Sequence, residues 1–378
     1  MANSPTQVGP TDIEKQKNTK RKLLSVRGIV VPLSTGKNEK MNIKRFYALL
    51  VAVLCLSAVS AQQANGEQTE VVDTAETNVI AYFCKRDTMK YNLQYLQFEA
   101  TANDTVVKSY YEQDFQVCIT DSTAEGYRLE YIATGLSRED TITVDTKAMM
   151  RQRVFERIKG KKLLFDLDEM GSVVQMPSWK AVRNDLIQGL FQAYNELYPL
   201  VPGLEQIVPK GQLMGIVSQR FQSEEGVIGW FDEIGMLFDL HGRSYESSVQ
   251  VDNERTEEEL PSTTFVMSGL LEDDDAIFEG DYFVTGATVA SFEGEDVATY
   301  LKGKVSALGE DNELAKLMIQ LAEADGKPTM SVEDAFEEWF FFNGWPMSSA
   351  VWTEETIGKK TILQKKYLEW AERSWGNS

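Results

Sequence analysis

The sequence predicts an α+β fold in which a curved, half-barrel-like antiparallel sheet is covered by a helical middle segment. Three observations support this fold class. Apolar and polar residues alternate in the first part of the chain, as in half-buried strands. Apolar residues then recur every three or four positions in the middle, and strand patterns with an Asn343–Gly344 turn return near the end. No long strand–helix alternation runs through the sequence, which disfavours a parallel sheet.

The first strands are predicted over residues 91–100, 106–120 and 127–134, which are rich in Tyr, Phe, Val and Ile. Turn-forming residues separate them, so consecutive antiparallel pairing is expected. A helix is expected over 145–159.

Residues 163–176 are predicted to form a hairpin whose turn uses Gly171. Ser178 is placed to cap a helix that ends before Pro199. The helical face consists of residues at spacings of three and four: Trp179, Val182, Leu186, Leu190, Ala193 and Leu197. Two more helices are expected, over 212–222 and 224–240.

Strand patterns return after residue 243. Strands are expected at 245–251, 263–270 and 281–290, followed by helices at 296–308 and 312–324. The chain then ends in a meander with turns at Asn343–Gly344 and Gly358–Lys359, whose strands are 340–342, 345–356 and 361–370. One sheet drawn from both halves is the economical architecture, and two domains meeting near residue 243 are the alternative.

Two features of the sequence are shared with known protein families. They are the 163–176 hairpin that leads into the helix at Ser178 and the late strand pair around Asn343–Gly344–Trp345–Pro346. In these features the sequence resembles uncharacterised secreted or periplasmic bacterial families whose half-barrel folds are similar to the lipoprotein carrier LolA. The resemblance covers about half of the chain after residue 61 and includes no catalytic motif. It implies a half-barrel fold, from which the long helical middle departs.

The order of charge and hydrophobicity predicts an exported protein. Residues 41–61 have the three parts of a signal peptide: a cationic start, an apolar stretch, and small residues before a cleavage site between Ala61 and Gln62. The apolar stretch is shorter than the roughly 20 residues that span a bilayer, so no membrane span is expected in the mature form. Residues 1–40 are predicted to be a disordered or mis-assigned extension, with a cytoplasmic tail as the rival interpretation. A flexible linker over 62–77 leads into one α+β domain over 78–378, with strands at 78–176, helices at 178–242, and both at 243–378.

Composition excludes several functions. The chain has a net charge of −20, which disfavours nucleic-acid binding. Its single histidine, His241, rules out zinc sites that need two imidazoles, and the common motifs for phosphate loops, dinucleotides and serine nucleophiles are absent. Asp166 and Asp168 could form a glycosidase-like carboxylate pair, although Asp is common beside turns. No catalytic residue, metal site or cofactor is predicted.

Three sets of residues remain as candidates for special roles. In an oxidising compartment Cys84 and Cys118 are predicted to form a disulfide, with two buried thiols as the alternative. The acidic run at residues 272–275 is either a calcium site or a solvated loop. Four late tryptophans could line a cavity on the curved sheet or fill the core: Trp339, Trp345, Trp352 and Trp370.

The expected function is that of a non-enzymatic, exported binding protein of the periplasm or the extracellular space. Its partner would be an apolar or envelope-derived ligand or an envelope protein. The alternatives are a secreted carboxylate-dependent hydrolase and a structural or interaction module without a small ligand.

Overall fold

The computed structural model describes residues 76–101, 104–139, 142, 144–253, 261–271, 275–304 and 329–376. The predicted extension, signal peptide and Ala61–Gln62 cleavage site lie outside these residues, as does the helix expected at 312–324. The described residues begin with the first strand, whose Glu76 and Thr77 fall within the range predicted as a linker.

Eleven of the thirteen strands in the described residues form one antiparallel sheet, and the two others, β1 and β7, pair with each other. The sheet order is β6-β5-β4-β3-β2-β13-β12-β11-β10-β9-β8. The strands span β1 Glu76–Val79, β2 Thr88–Thr101, β3 Asp104–Thr123, β4 Gly126–Arg138, β5 Leu163–Leu167, β6 Val173–Gln175, β7 Arg243–Glu246, β8 Ser248–Asn253, β9 Ser262–Leu270, β10 Tyr282–Glu293, β11 Thr329–Phe340, β12 Pro346–Ile357 and β13 Lys360–Ser374.

This arrangement confirms the predicted fold class: a large curved antiparallel sheet with helices. The two halves of the chain meet where β2 pairs with β13, for example at Leu93 and Leu368. The 163–176 hairpin and the late meander are also present where they were expected.

Seven helices occur in the described residues, six of them in the middle of the chain. They span α1 Thr146–Ile158, α2 Trp179–Leu200, α3 Leu204–Ile207, α4 Lys210–Arg220, α5 Glu224–Ile228, α6 Asp232–Phe238 and α7 Glu295–Lys304.

Three details of the helical predictions are wrong. The helix expected at 224–240 is two helices, since Gly229 caps the end of α5 and α6 begins at Asp232. Ser178 precedes α2 but its side chain makes no capping hydrogen bond, and α2 continues through Pro199. Proline lacks an N–H and cannot make the helical hydrogen bond to the carbonyl four residues earlier, and α2 ends one residue after it, at Leu200.

The sheet buries one face against the helices. A row of directly paired residues crosses this interior face, and each residue in it is buried: Gln113, Leu93, Leu368, Ser349, Glu338, Val284 and Ser268. Aromatic rings pack the sheet against the helical segment. The ring centroid of Phe231 lies 5.7 Å from that of Tyr131 and 5.8 Å from that of Phe165. The row contains polar side chains at Gln113, Ser349, Glu338 and Ser268, so the interior is not purely hydrophobic.

None of the helices in the described part of the chain combines the length and the apolarity needed to cross a membrane.

Candidate ligand-binding site

A cavity of about 100 Å³ lies between β2 and β3 of the sheet and the helical segment. Each of α1, α2, α4 and α6 contributes to its wall, so residues far apart in sequence meet there. Its lining consists of Tyr95, Tyr111, Lys147, Met150, Arg151, Leu190, Tyr194, Val217, Arg220, Phe221, Gly229, Trp230 and Asp232.

Aromatic rings form much of the wall. Tyr95 and Tyr111 face each other across the β2–β3 pair and stack with their ring centroids 5.0 Å apart. Phe221 and Trp230 meet edge to face at 6.2 Å on the helical side. Burial raises the pKa of Tyr194 to about 12, so its hydroxyl stays protonated at neutral pH.

Arg151 is fixed at the centre of a buried polar network. Its Nε donates to Gln113 at 2.7 Å, and its Nη2 forms an ion pair with Glu233. Glu233 also accepts hydrogen bonds from Tyr131 at 2.6 Å and from Gln113 at 2.9 Å. Burial alone would lower the pKa of Arg151, but the nearby Glu233 carboxylate raises it above its ordinary value. The guanidinium therefore remains charged, and its charge is balanced by Glu233.

The other acidic and lysine side chains of the cavity also have partners. Asp232 pairs with Lys366 at 3.0 Å. Burial would raise the pKa of Asp232, but the charges of Lys366 and Arg151 outweigh it and lower the pKa. Lys147 donates to Gln364 at 2.6 Å and lies 4.7 Å from the centroid of the Tyr95 ring.

Two side chains at the cavity, unlike those above, have hydrogen-bond donors without an acceptor among the described residues. Arg220 is half-buried and contacts the Phe221 ring at 5.7 Å, but makes no hydrogen bond or ion pair with any described residue. Burial lowers the pKa of Arg220 below its ordinary value. The buried Nε1 of Trp230 likewise has no acceptor in the described part of the chain.

None of the four tryptophans predicted as candidates lines this cavity. Trp345 is fully buried, packs 4.3 Å from Phe83 and donates its Nε1 to Asp87. Trp352 is half-buried on the opposite sheet face, because it is three residues from the interior Ser349. Trp339 is half-buried and packs against the main core beside a register shift in β11. Trp370 packs against Phe341 and lies 4.7 Å from the guanidinium of Arg373.

Sequence reasoning missed the charged residues of the site, although α1 contained a signal for one of them. Arg151 precedes Val154 by three residues and Ile158 by seven, which places it on the buried face of that helix. An arginine on an apolar helix face needs a buried partner. No pattern in the sequence identified Glu233 as that partner.

The predicted disulfide is absent, because Cys84 and Cys118 are both free. Cys118 lies opposite Thr88 in the β2–β3 pair, and its sulfur accepts a hydrogen bond from the Thr88 hydroxyl at 3.3 Å. Cys84 is exposed in the segment before β2, so its thiol is not the cross-strand neighbour of Cys118.

The residues considered for hydrolysis have structural partners. Asp166 accepts two hydrogen bonds from Arg128, and Asp168 accepts from the backbone of Met170 and Ser172 in the turn. His241 is buried with its Nε2 2.9 Å from the carbonyl oxygen of Gly344. Burial lowers the pKa of His241 to about 4. These three side chains thus hold turns and strands together.

Residues 272–274 of the acidic run lie outside the described part of the chain. Within the part that is described, no group of three or more His, Cys, Asp or Glu side chains is placed to hold a metal ion.

The fold and the site define a curved-sheet α+β protein with a partly open cavity between the sheet and the helices. Comparison with protein-family models and with curated proteins gave no match. Among solved structures the chain is similar to lipovitellin, in a study of lipid–protein interactions in that protein, at 8% identity and a TM-score of 0.35. That similarity covers 78% of this chain and 26% of the other, so the chain spans about a quarter of that relative's length. An outer membrane channel from Pseudomonas putida F1 is similar at 6% identity and a TM-score of 0.12, over 80% of this chain and 100% of the channel.

Proposed function

We propose that this protein is a non-enzymatic binding protein that takes a small, largely apolar ligand into the cavity between the sheet and the helices. The observation that supports this most strongly is the cavity lining. Five aromatic side chains and four aliphatic side chains or Gly line a partly open space of about 100 Å³, together with four charged side chains. Ligand sites typically combine an apolar wall with a small number of oriented polar groups.

The proposal includes the place of action. The signal-like segment at residues 41–61 supports export to the periplasm or the extracellular space, where an envelope-derived molecule would be available. The resemblance to LolA-like half-barrel families belongs to the same proposal, since a half-barrel covered by helices can enclose an apolar molecule.

Filling the cavity is the direct test of this function. Val217 lines the cavity and is 6% exposed, so Val217→Phe places a ring in the space that a ligand would occupy. We expect at least one of four probes, namely toluene, benzamide, benzoate and octanoate, to bind the wild-type protein in titration calorimetry. The affinity should fall at least about tenfold in Val217→Phe, because an occupied site cannot also accept the probe.

The control is Val174→Phe, which adds the same ring on β6 at a residue that is 63% exposed. It should bind like the wild type. Thermal unfolding identifies a variant that does not fold, and Leu190→Phe then provides a second way to fill the cavity from α2. If no probe binds the wild-type protein, the proposed function is wrong and a structural or interaction role is favoured.

A further inference from the structure

We propose that the ligand carries one anionic group, of the carboxylate class, and that Arg220 is the residue that recognises it. This inference rests on the proposed function and specifies the chemistry of its ligand. It follows from which charges and hydrogen-bond donors at the cavity already have partners within the protein and which do not.

The charged side chains at the cavity have an ion pair or a hydrogen bond, with one exception. Arg151 is neutralised by Glu233, and Asp232 by Lys366. Lys147 has a polar partner in Gln364. Arg220 alone among the cavity's charged side chains has no hydrogen bond or ion pair within the described residues. The charge of Asp232 acts on Arg220. The two side chains form no ion pair, and a ligand carboxylate in direct contact would compensate a guanidinium that is half removed from water.

The polar groups of the cavity lining that lack a partner among the described residues are hydrogen-bond donors. Trp230 lines the same cavity, its ring contacts that of Phe221 beside Arg220, and its buried Nε1 donor lacks an acceptor. Asp232 is the one carboxylate in the cavity lining, and it already forms an ion pair with Lys366. Two unpaired donors, one of them cationic, fit a ligand that brings acceptors and negative charge.

The Arg151 network explains why the second arginine of the cavity is not the recognition residue. Arg151 is 7% exposed and its guanidinium donates to Gln113, Glu233 and the carbonyl of Trp230. Redirecting it to a ligand would leave Glu233 buried without its cation, which is costly. Arg220 can accept an anion without breaking a contact of this kind.

The test compares benzoate with benzamide, two probes of nearly the same size that differ in charge. We expect the wild-type protein to bind benzoate about tenfold more tightly than benzamide in titration calorimetry, as for a charge-assisted hydrogen bond. Arg220→Gln keeps a polar side chain but removes the charge, so the two affinities should become nearly equal. Arg157→Gln is the matched control on α1, where Arg157 bonds Gln188 at the surface, and it should keep the tenfold preference.

The outcomes separate this inference from the proposed function. Equal binding of the two probes to the wild type, or an unchanged preference in Arg220→Gln, overturns the role of Arg220 while leaving the cavity as a binding site. Binding of neither probe, nor of toluene or octanoate, overturns the proposed function itself. If Arg220→Gln does not fold, Arg220→Lys keeps the charge without the planar fork, and its preference for benzoate should fall but remain above one.

Discussion

Arg151 and Glu233 show how charged residues can occupy the interior of this protein. Arg151 is held by Gln113 and Glu233, and Tyr131 adds a further hydrogen bond to the carboxylate. Every polar group in the network has a partner, which is the condition under which buried charges are tolerated. The position of Arg151 on an apolar helix face was readable from the sequence, but its partners come from β3, β4 and α6, and local patterns do not encode such distant contacts.

Glu338 is a contrasting buried acid on the interior face of β11. It is 4% exposed, and its Oε1 has no hydrogen-bond partner in the described part of the chain. Burial, and to a lesser extent the charge of Asp239, raises the pKa of Glu338 well above its ordinary value of 4.5. The folded protein therefore retains a proton that the unfolded chain releases above about pH 4.5, and stability falls as the pH rises from there through the folded pKa.

Replacing Glu338 by Gln should remove this pH dependence. Relative to the wild type, we expect Glu338→Gln to gain at least about 1 kcal/mol in free energy of unfolding between pH 5 and pH 8, measured in urea. Glu337→Gln is the control, because Glu337 is exposed on the same strand. Parallel pH profiles for Glu338→Gln and the wild type would contradict the assignment of a buried, protonated carboxyl.

The turn between β11 and β12 links the late meander to the segment before β2. Gly344 has a φ of +88°, and a Cβ there would lie 2.3 Å from the carbonyl oxygen of Ile80. The Gly344 carbonyl oxygen also lies 2.9 Å from Nε2 of His241. The Asn–Gly pair predicted this turn correctly, but its packing against two other segments was not visible in the sequence.

The two meander glycines provide a matched test of that packing. Gly358 has a φ of +58°, and a Cβ there would meet no atom within 4 Å. Gly358→Ala should therefore cost only the conformational penalty of roughly 1 kcal/mol. Gly344→Ala adds a backbone clash and should cost about 3 kcal/mol or more in urea unfolding. Similar losses for the two variants would show that the Gly344 turn is not tightly packed.

Other elements show why local patterns predict some boundaries and not others. β2, β3 and β4 follow the expected alternation closely. The start of β11 was missed because acidic residues occur on both of its faces, including Asp334 and Glu338 on the interior parity. The break between α5 and α6 was missed because apolar residues continue through Gly229 and Trp230 with a helical spacing.

The sequence predicts that the strands form one curved antiparallel sheet, but it does not predict the order in which they pair. Strands from both halves were expected in one sheet, and the structure joins them at β2 and β13. That pairing connects residues more than 250 positions apart, such as Leu93 and Leu368, and no local sequence pattern specifies it. The cavity depends on the same long-range assembly, which is why the predicted tryptophan site and the observed lining differ.

Charge acts differently over the whole molecule and within the cavity. The chain carries a net charge of −20, yet its cavity holds Lys147, Arg151 and Arg220 against one lining carboxylate. Long-range repulsion of anions is screened by salt, whereas a partly buried guanidinium is screened much less. The overall negative charge therefore does not argue against the proposed anion at Arg220.

The most direct measurement follows the indole N–H signals of the tryptophans by ¹⁵N NMR during a titration with benzoate. The indole of Trp230 lines the cavity, whereas that of Trp345 is buried elsewhere and bonded to Asp87. A ligand in the cavity should shift the Trp230 signal and leave the Trp345 signal unchanged. Saturable shifts at Trp339, Trp352 or Trp370 with an unchanged Trp230 signal would contradict the cavity as the binding site.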